Sequence, residues 1–436
     1  MLRGWLCAGL ISLPVLLTAQ APLTAQARTV TFHADVVPVL QKHCQVCHRP
    51  GEAAPFSMLT YKDVRPWAAA MKRKVVSGQM PPWFAEPGIG RFENDRRLTP
   101  EEINTIARWA DNGAPEGDPN TAPRPLAFLE GWNIGQPDKV FEMPTPFQVP
   151  AKGAVEYQWI VLPTGLDKDT WIEGVEVRPG NRSVVHHVIA FYRKPGSNWL
   201  ADAKPGVPTP KASGDSEAGM SDGAIGGYVP GLPAQRLRPG RAVLLPAGSD
   251  IVLQMHYTAT GQPAEDRTKV GIVFARSDVR ERSFQLGVGS FSFVIPPGEP
   301  NYRVDADITL DTDIRVVGFT PHMHLRGKSF EYRAVFPDGH REVLLRVPKY
   351  DFNWQLTYDL AEERVFPKGT RFEASAWFDN SPNNRFNPDP TAAVRFGDQT
   401  WDEMMVGFLD IAIKPDQDLA KLIKMPPPKS STGGQP

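Results

Sequence analysis

The chain has 436 residues, a formal net charge of −1 and 41% hydrophobic residues. Charge so near balance excludes partners held by a strong net field, such as nucleic acid, and marks a soluble globular class. The length exceeds what one hydrophobic core fills and predicts about two to four domains. Its 44 prolines and 37 glycines favour turn-rich β architecture.

The stretch 1–27 reads as an export signal. Arg3 supplies positive charge, LCAGLISLPVLL (6–17) an apolar run, and Ala19, Ala21, Ala25 and Ala27 two small-x-small cleavage sites. That apolar run is short for a membrane span, although a retained anchor is the competing reading. The expected mature chain starts near Arg28, is periplasmic or secreted, and keeps no membrane span. Cys7 would leave with the signal. Cys44 and Cys47 then remain, so neither a structural disulfide framework nor a copper–thiolate centre is expected.

Residues 28–118 read as helical. The clearest element is LTPEEINTIARWADNGAP (98–115). Thr99 is placed to cap it, Pro100 to open it and Glu102 to complete a capping box. Ile103, Ile106, Ala107 and Ala110 form one apolar stripe, and Gly113 and Pro115 end it. Residues 64–76 also read as helix. Within this region CQVCH, Cys44 to His48, has the form of a covalent c-type haem attachment sequence. Two thiols spaced by two residues meet the two vinyl groups, and the adjacent His48 meets the iron. A thioredoxin-like pair is the rival, but it calls for no following histidine. Met80, downstream of Cys47 in the Pro-rich SGQMPPWF, is the expected sixth ligand. Met58 and Met71 are poorer candidates, and the plain alternative for Met80 is core packing. This segment resembles a small class I cytochrome c.

Residues 119–135 read as a linker. Beyond it the texture is β: 155–163, 171–177, 183–192, 250–260, 268–275, 314–325, 330–336 and 370–378 are β-branched or aromatic runs bounded by turns. Such a series predicts antiparallel sandwiches or jelly rolls, split near 280 into 136–280 and 281–415. Residues 202–240, rich in Gly, Pro and Ser, read as a long loop or lid. Residues 416–436 form a tail, with 426–436 expected to be disordered.

Five of the nine histidines fall in three strand motifs: His186 and His187 in VVHHVIAFY, His256 in QMHY, and His322 and His324 in PHMH. One strand histidine is usually a hydrogen-bonded core residue. Five buried imidazoles without a run of acids need another partner, and a metal supplies it. Imidazole with thioether favours copper, and zinc on histidine alone is the rival. His322 and His324, two apart, share a strand face, whereas Met323 points into the core. Adjacent His186 and His187 point to opposite faces of a regular strand, so sharing one metal requires a distortion there.

The order HH, QMHY, HMH and DEM (Asp402, Glu403, Met404), each motif separated from the next by a long β-rich stretch, resembles the type II copper monooxygenases, the family of peptidylglycine α-hydroxylating and dopamine β-monooxygenases. The resemblance implies two antiparallel β-sandwich, jelly-roll-like domains after the small all-α cytochrome c domain. It implies an electron-transfer copper on His186, His187 and His256. A second copper, where O2 reacts, would sit on His322, His324 and Met404. Substrate would lie between the domains. Thr320 and Phe408 stand where the peptide-hydroxylating members carry a carboxylate-binding arginine and a tyrosine. A small neutral or apolar substrate is therefore expected, with electrons passing from a periplasmic donor through the haem to the two coppers. The alternatives are a non-catalytic haem and copper electron carrier or copper-handling protein, and a copper nitrite reductase fused to a cytochrome. The missing copper-ligating cysteine argues against the reductase.

Overall fold

A computed structural model describes residues 1, 28–52, 54–129, 131–210, 223–230 and 234–424. The signal sequence with Cys7, parts of the 202–240 loop and the end of the tail lie outside the described residues. The chain is mostly β, 37% strand against 12% helix, arranged in several antiparallel sheets. No helix among the described residues is long and apolar enough to cross a membrane.

Four short α-helices precede the strands among the described residues: α1 Val37–His43, α2 Tyr61–Val64, α3 Ala68–Val76 and α4 Pro100–Asp111. The cap of α4 is as the sequence implies. The Thr99 hydroxyl accepts from the Glu102 N–H, and the Glu102 carboxylate accepts from the Thr99 N–H. The helix ends at Asp111, and Gly113 follows at φ +82°, where a side chain would be strained. The 64–76 stretch is not one helix: Val64 ends α2, Pro66 lies in a 3₁₀ turn, Arg65–Trp67, and α3 starts at Ala68. Val36, Leu40, Val64, Ile106 and Trp109 close a small core, which Met58 and Met71 join.

Two larger cores follow. In one, a five-stranded sheet containing Gln158–Pro163, Asp250–Tyr257, Val185–Arg193 and Ala224–Tyr228 packs on one half of a nine-stranded sheet. In the other, a four-stranded sheet covers the far half of the nine-stranded sheet. The nine-stranded sheet therefore runs through residue 280, joined by a short parallel pairing of Arg241 with Glu281 and Ala242 with Arg282. The Arg241 guanidinium pins this junction, donating to Glu281 and Glu363.

Alternation decides what faces outward. On Asp250–Tyr257, Ile251, Leu253, Met255 and Tyr257 enter the first large core, so His256 faces the opposite side. On Ile314–His322, Ile314, Val316 and Phe319 enter the second core, and Met323 joins them fully buried just past the strand. His322 therefore faces outward, and the sequence reading of Met323 as packing holds. Several strands lack a clear sequence signal. Glu281–Ser290 is interrupted by glycines and polar residues, and Met405–Ile413 follows the metal-motif methionine directly.

Candidate metal centre

The adjacent histidines 186 and 187 are brought together by a bulge. On the partner strand His256 lies opposite His187, yet Tyr257 lies opposite Val185. The pairing skips His186, leaving it unpaired in the ladder and free to turn toward its neighbour's face. This is the distortion that two adjacent ligands require. The Nδ1 atoms of His186 and His187 then lie 3.1 Å apart, and those of His256 and His187 3.4 Å apart. One ligand atom from each ring falls within 4.8 Å of the others.

The outer nitrogens fix the tautomers of His186 and His256. His186 Nε2–H donates to Asn353 Oδ1 at 3.3 Å, which leaves the Nδ1 lone pair facing inward. The Thr400 hydroxyl donates to the Tyr157 oxygen at 3.3 Å and so accepts from His256 Nε2–H at 3.1 Å. The Tyr157 N–H in turn donates to Gln399 Oε1. The lone pairs of His186 and His256 thus converge on His187 Nδ1, and three neutral imidazole nitrogens at this spacing form a donor set that fits a cation.

The second group forms on the nine-stranded sheet. His322 Nδ1–H donates to Gln355 Oε1 at 2.8 Å and His324 Nδ1–H points to the Asp402 carbonyl at 3.4 Å, so both rings carry their lone pair on Nε2. Their centroids are 5.2 Å apart. His322 pairs with Val406 and Thr320 with Phe408; His324 follows the end of the first strand, and the buried Met404 immediately precedes the second. The carboxylate of Glu403, fully buried, accepts from the N–H groups of His324 (2.8 Å), Arg326 (2.6 Å) and Met404 (3.2 Å). Burial raises its pKa to about 8 against the pull of those donors and of Arg326. One acid thus ties the histidine turn to the methionine turn.

The two groups adjoin. The Phe352 ring stacks on His186 at 5.1 Å and 10°, and meets His324 edge-on at 5.9 Å. Sequence reasoning missed Phe352, Asn353, Gln355, Thr400 and Tyr157. None belongs to a motif, and only the amide-bearing run DFNWQ after a strand could have hinted at them. It also sought acids as partners for the histidines, whereas amides, a hydroxyl and a carbonyl fill that role here.

All five imidazoles are held neutral. Burial lowers each pKa, bringing His322 to about 4, and neighbouring histidines lower those of His187, His256 and His324 further. In the unfolded chain the same rings take up protons near about pH 6.5. Their stabilising contribution is thus complete above that value and is lost as pH falls, for His322 between about 6.5 and about 4. In metal-free protein, NMR titration should find all five rings titrating below the free-histidine midpoint. A ring of the five titrating at or above that midpoint would contradict the geometry.

At the N-terminal motif, Cys44 ends α1, and the N–H groups of Cys47 and His48 turn back to the Cys44 carbonyl. Both cysteines are free thiols, and burial pushes Cys44 up to about 12 and raises Cys47. His48 Nδ1–H donates to the Phe56 carbonyl at 3.1 Å, leaving the Nε2 lone pair available to a ligand. Phe56 lies 4.7 Å from the His48 ring and stacks on Trp67 at 4.4 Å. Val46, Leu59, Trp67 and Val76 are exposed in this N-terminal region. Met80 is half-buried, and its N–H reaches the Lys74 carbonyl. The motif is tied to the first histidine strand, because Glu52 accepts at 2.6 Å from Arg182, just upstream of His186. Further along, Trp83 and Phe92 pack with Tyr358 in the second large core.

No family model matches this sequence, and no curated protein matches it. Among solved structures it is similar to structures of infectious bursal disease virus. The Gx strain structure is 10% identical over 65% of this chain and 74% of that one, with a TM-score of 0.18. The VP2 subviral particle is 10% identical over 66% and 74%, also at 0.18. Likeness at that level carries no argument about fold or function.

Proposed function

We propose that the protein is an exported copper-dependent monooxygenase, of the type II copper monooxygenase kind, that draws electrons through its own c-type haem. Its organisation in this reading is a small haem-bearing all-α domain at 28–118 and two antiparallel sandwich domains split near 280. The observation that carries the reading is the convergence of His186, His187 and His256 on their Nδ1 atoms, beside a second pair, His322 and His324, whose turn Glu403 ties to that of Met404. When bound, copper on these sets and haem on Cys44, Cys47, His48 and Met80 would supply one-electron transfer and O2 activation.

The chain's own residues do the rest. Asn353, Thr400 and Gln355 hold His186, His256 and His322 in their ligating tautomers. Glu403 keeps the His324 and Met404 turns at one spacing. The Glu52–Arg182 ion pair keeps the haem motif against the strand that carries His186. Hydroxylation takes one oxygen atom of O2 into a C–H bond and reduces the other to water with two electrons and two protons. The one-electron haem motif is suited to deliver those electrons in turn.

Substrate preference rests on Thr320. Its hydroxyl lies 3.2 Å from Asp410 Oδ2, with Thr357 at 2.9 Å. An acid stands where a carboxylate substrate would need a cation, which supports a small neutral or apolar substrate.

Metal and haem analysis with O2 uptake tests the reading. The expected result is one covalent haem and two coppers per chain, and reduced haem reoxidised by O2 with one hydroxylated product per O2. Fully loaded protein that consumes no O2 with any C–H substrate would leave the electron-carrier alternative standing. Faster turnover of peptidylglycines than of neutral substrates would overturn the substrate assignment.

A further inference from the structure

The two histidine groups stand on different sheets, yet one short segment, 351–355, serves both. Asn353 Oδ1 accepts from His186, and Gln355 Oε1 accepts from His322. Between them the Phe352 ring, only 7% exposed, contacts His186 and His324 and lies 6.1 Å from both His187 and His256. The segment is stiffened from within. The Asn353 N–H and side-chain amide both donate to Asp351 Oδ1, at 3.0 and 2.9 Å, and the Trp354 N–H donates to the Asp351 carbonyl at 2.9 Å. Just before it, Tyr350 is anchored to the peptide between the two outward histidines: its hydroxyl donates to the Met323 carbonyl at 2.7 Å and accepts the Met323 N–H at 3.2 Å. Asn353 cannot shift far without moving Gln355 and Phe352.

We propose that segment 351–355 couples the two metal groups, so that a metal seated on His186, His187 and His256 raises the affinity of His322, His324 and Met404 for theirs, and the reverse. The inference rests on the copper reading above. Its physical basis is linkage. A cation on Nδ1 of His186 draws electron density from the ring and makes Nε2–H a stronger donor to Asn353. Because the segment is stiff, the tightened Asn353 contact is passed along it to Gln355, which holds His322 in its ligating orientation more firmly when the second metal arrives. Coupling of this kind is reciprocal by thermodynamic necessity. Asn353, Gln355 and Phe352 act through the ligands and are positioning residues.

The test is copper(II) titration of the full-length protein stripped of copper, against a competing chelator, read by calorimetry and by the Cu(II) EPR signal. Wild type should bind two coppers with positive cooperativity, in the range of about 5- to 150-fold typical of such coupling. Asn353→Ala should weaken mainly the His186 group and Gln355→Ala mainly the His322 group, each by roughly 10–100-fold, and both should abolish the cooperativity. Gln355→Glu, which keeps an acceptor oxygen, should restore it, and this distinguishes positioning from a general loss of folding. Two independent coppers in wild type, or cooperativity unchanged in both alanine variants, overturns the coupling and leaves the copper reading intact. No copper at either group overturns both.

Discussion

Glu403→Ala should lower stability by on the order of 3–9 kcal/mol, at roughly 1–3 kcal/mol for each buried N–H left without an acceptor. Three such donors, from His324, Arg326 and Met404, depend on this one carboxylate. The loss would be comparable with the whole stability of many domains, about 5–15 kcal/mol. Glu403→Gln keeps one acceptor oxygen but turns an NH2 group toward an N–H, so it should fall between wild type and alanine. Urea unfolding followed by tryptophan fluorescence would measure the order. Copper at the His322 group should weaken in the same sequence, because the turns of His324 and Met404 lose their common tether. An alanine variant within about 1 kcal/mol of wild type, by the same per-donor scale, would show that the carboxylate does not organise the turn.

His256→Ala should remove one copper per chain and leave the haem. The triad then keeps His186 and His187, whose Nδ1 atoms still lie 3.1 Å apart, and two imidazoles hold a cation far less well than three. The drop in affinity should exceed the roughly 10–100-fold typical of losing a ligand's orienting partner. Turnover should fall below detection while chemical reduction of the haem continues. A variant that keeps both coppers at wild-type affinity would remove His256 from the site, and with it the argument for a three-imidazole centre. The side chain is nearly buried and carries the Thr400 contact, so circular dichroism should confirm that the strand pairing survives.

Much of this was legible in the sequence because the relevant periodicities are local. Capping by Thr99 and Glu102 acts within one helical turn, and the structure repeats it bond for bond. The alternation that buries Met323 and turns His322 outward is a two-residue rule. The motif order singled out the five histidines that the structure gathers into two adjoining groups, since the other four lie outside the strand motifs. The strands Glu281–Ser290 and Met405–Ile413 were not legible. The first is broken by glycines, and the second follows a motif read for its chemistry rather than its hydrogen bonds. Segment 351–355 was not legible either. Its asparagine, phenylalanine and glutamine have meaning only beside His186 and His322, which are distant from it in the chain.

The sequence by itself determined which histidines fall in strand motifs, the CQVCH pattern, the β-rich character and the face on which residues of regular strands sit, because side-chain chemistry and local period are properties of short stretches. Only the tertiary structure decided that His186 escapes its strand through a bulge and that Glu403 holds two turns together. It alone set Phe352 between the two histidine groups. Those outcomes depend on register between distant strands and on which loops fold over them, and pairing of that kind is fixed by the packing of the whole sheet.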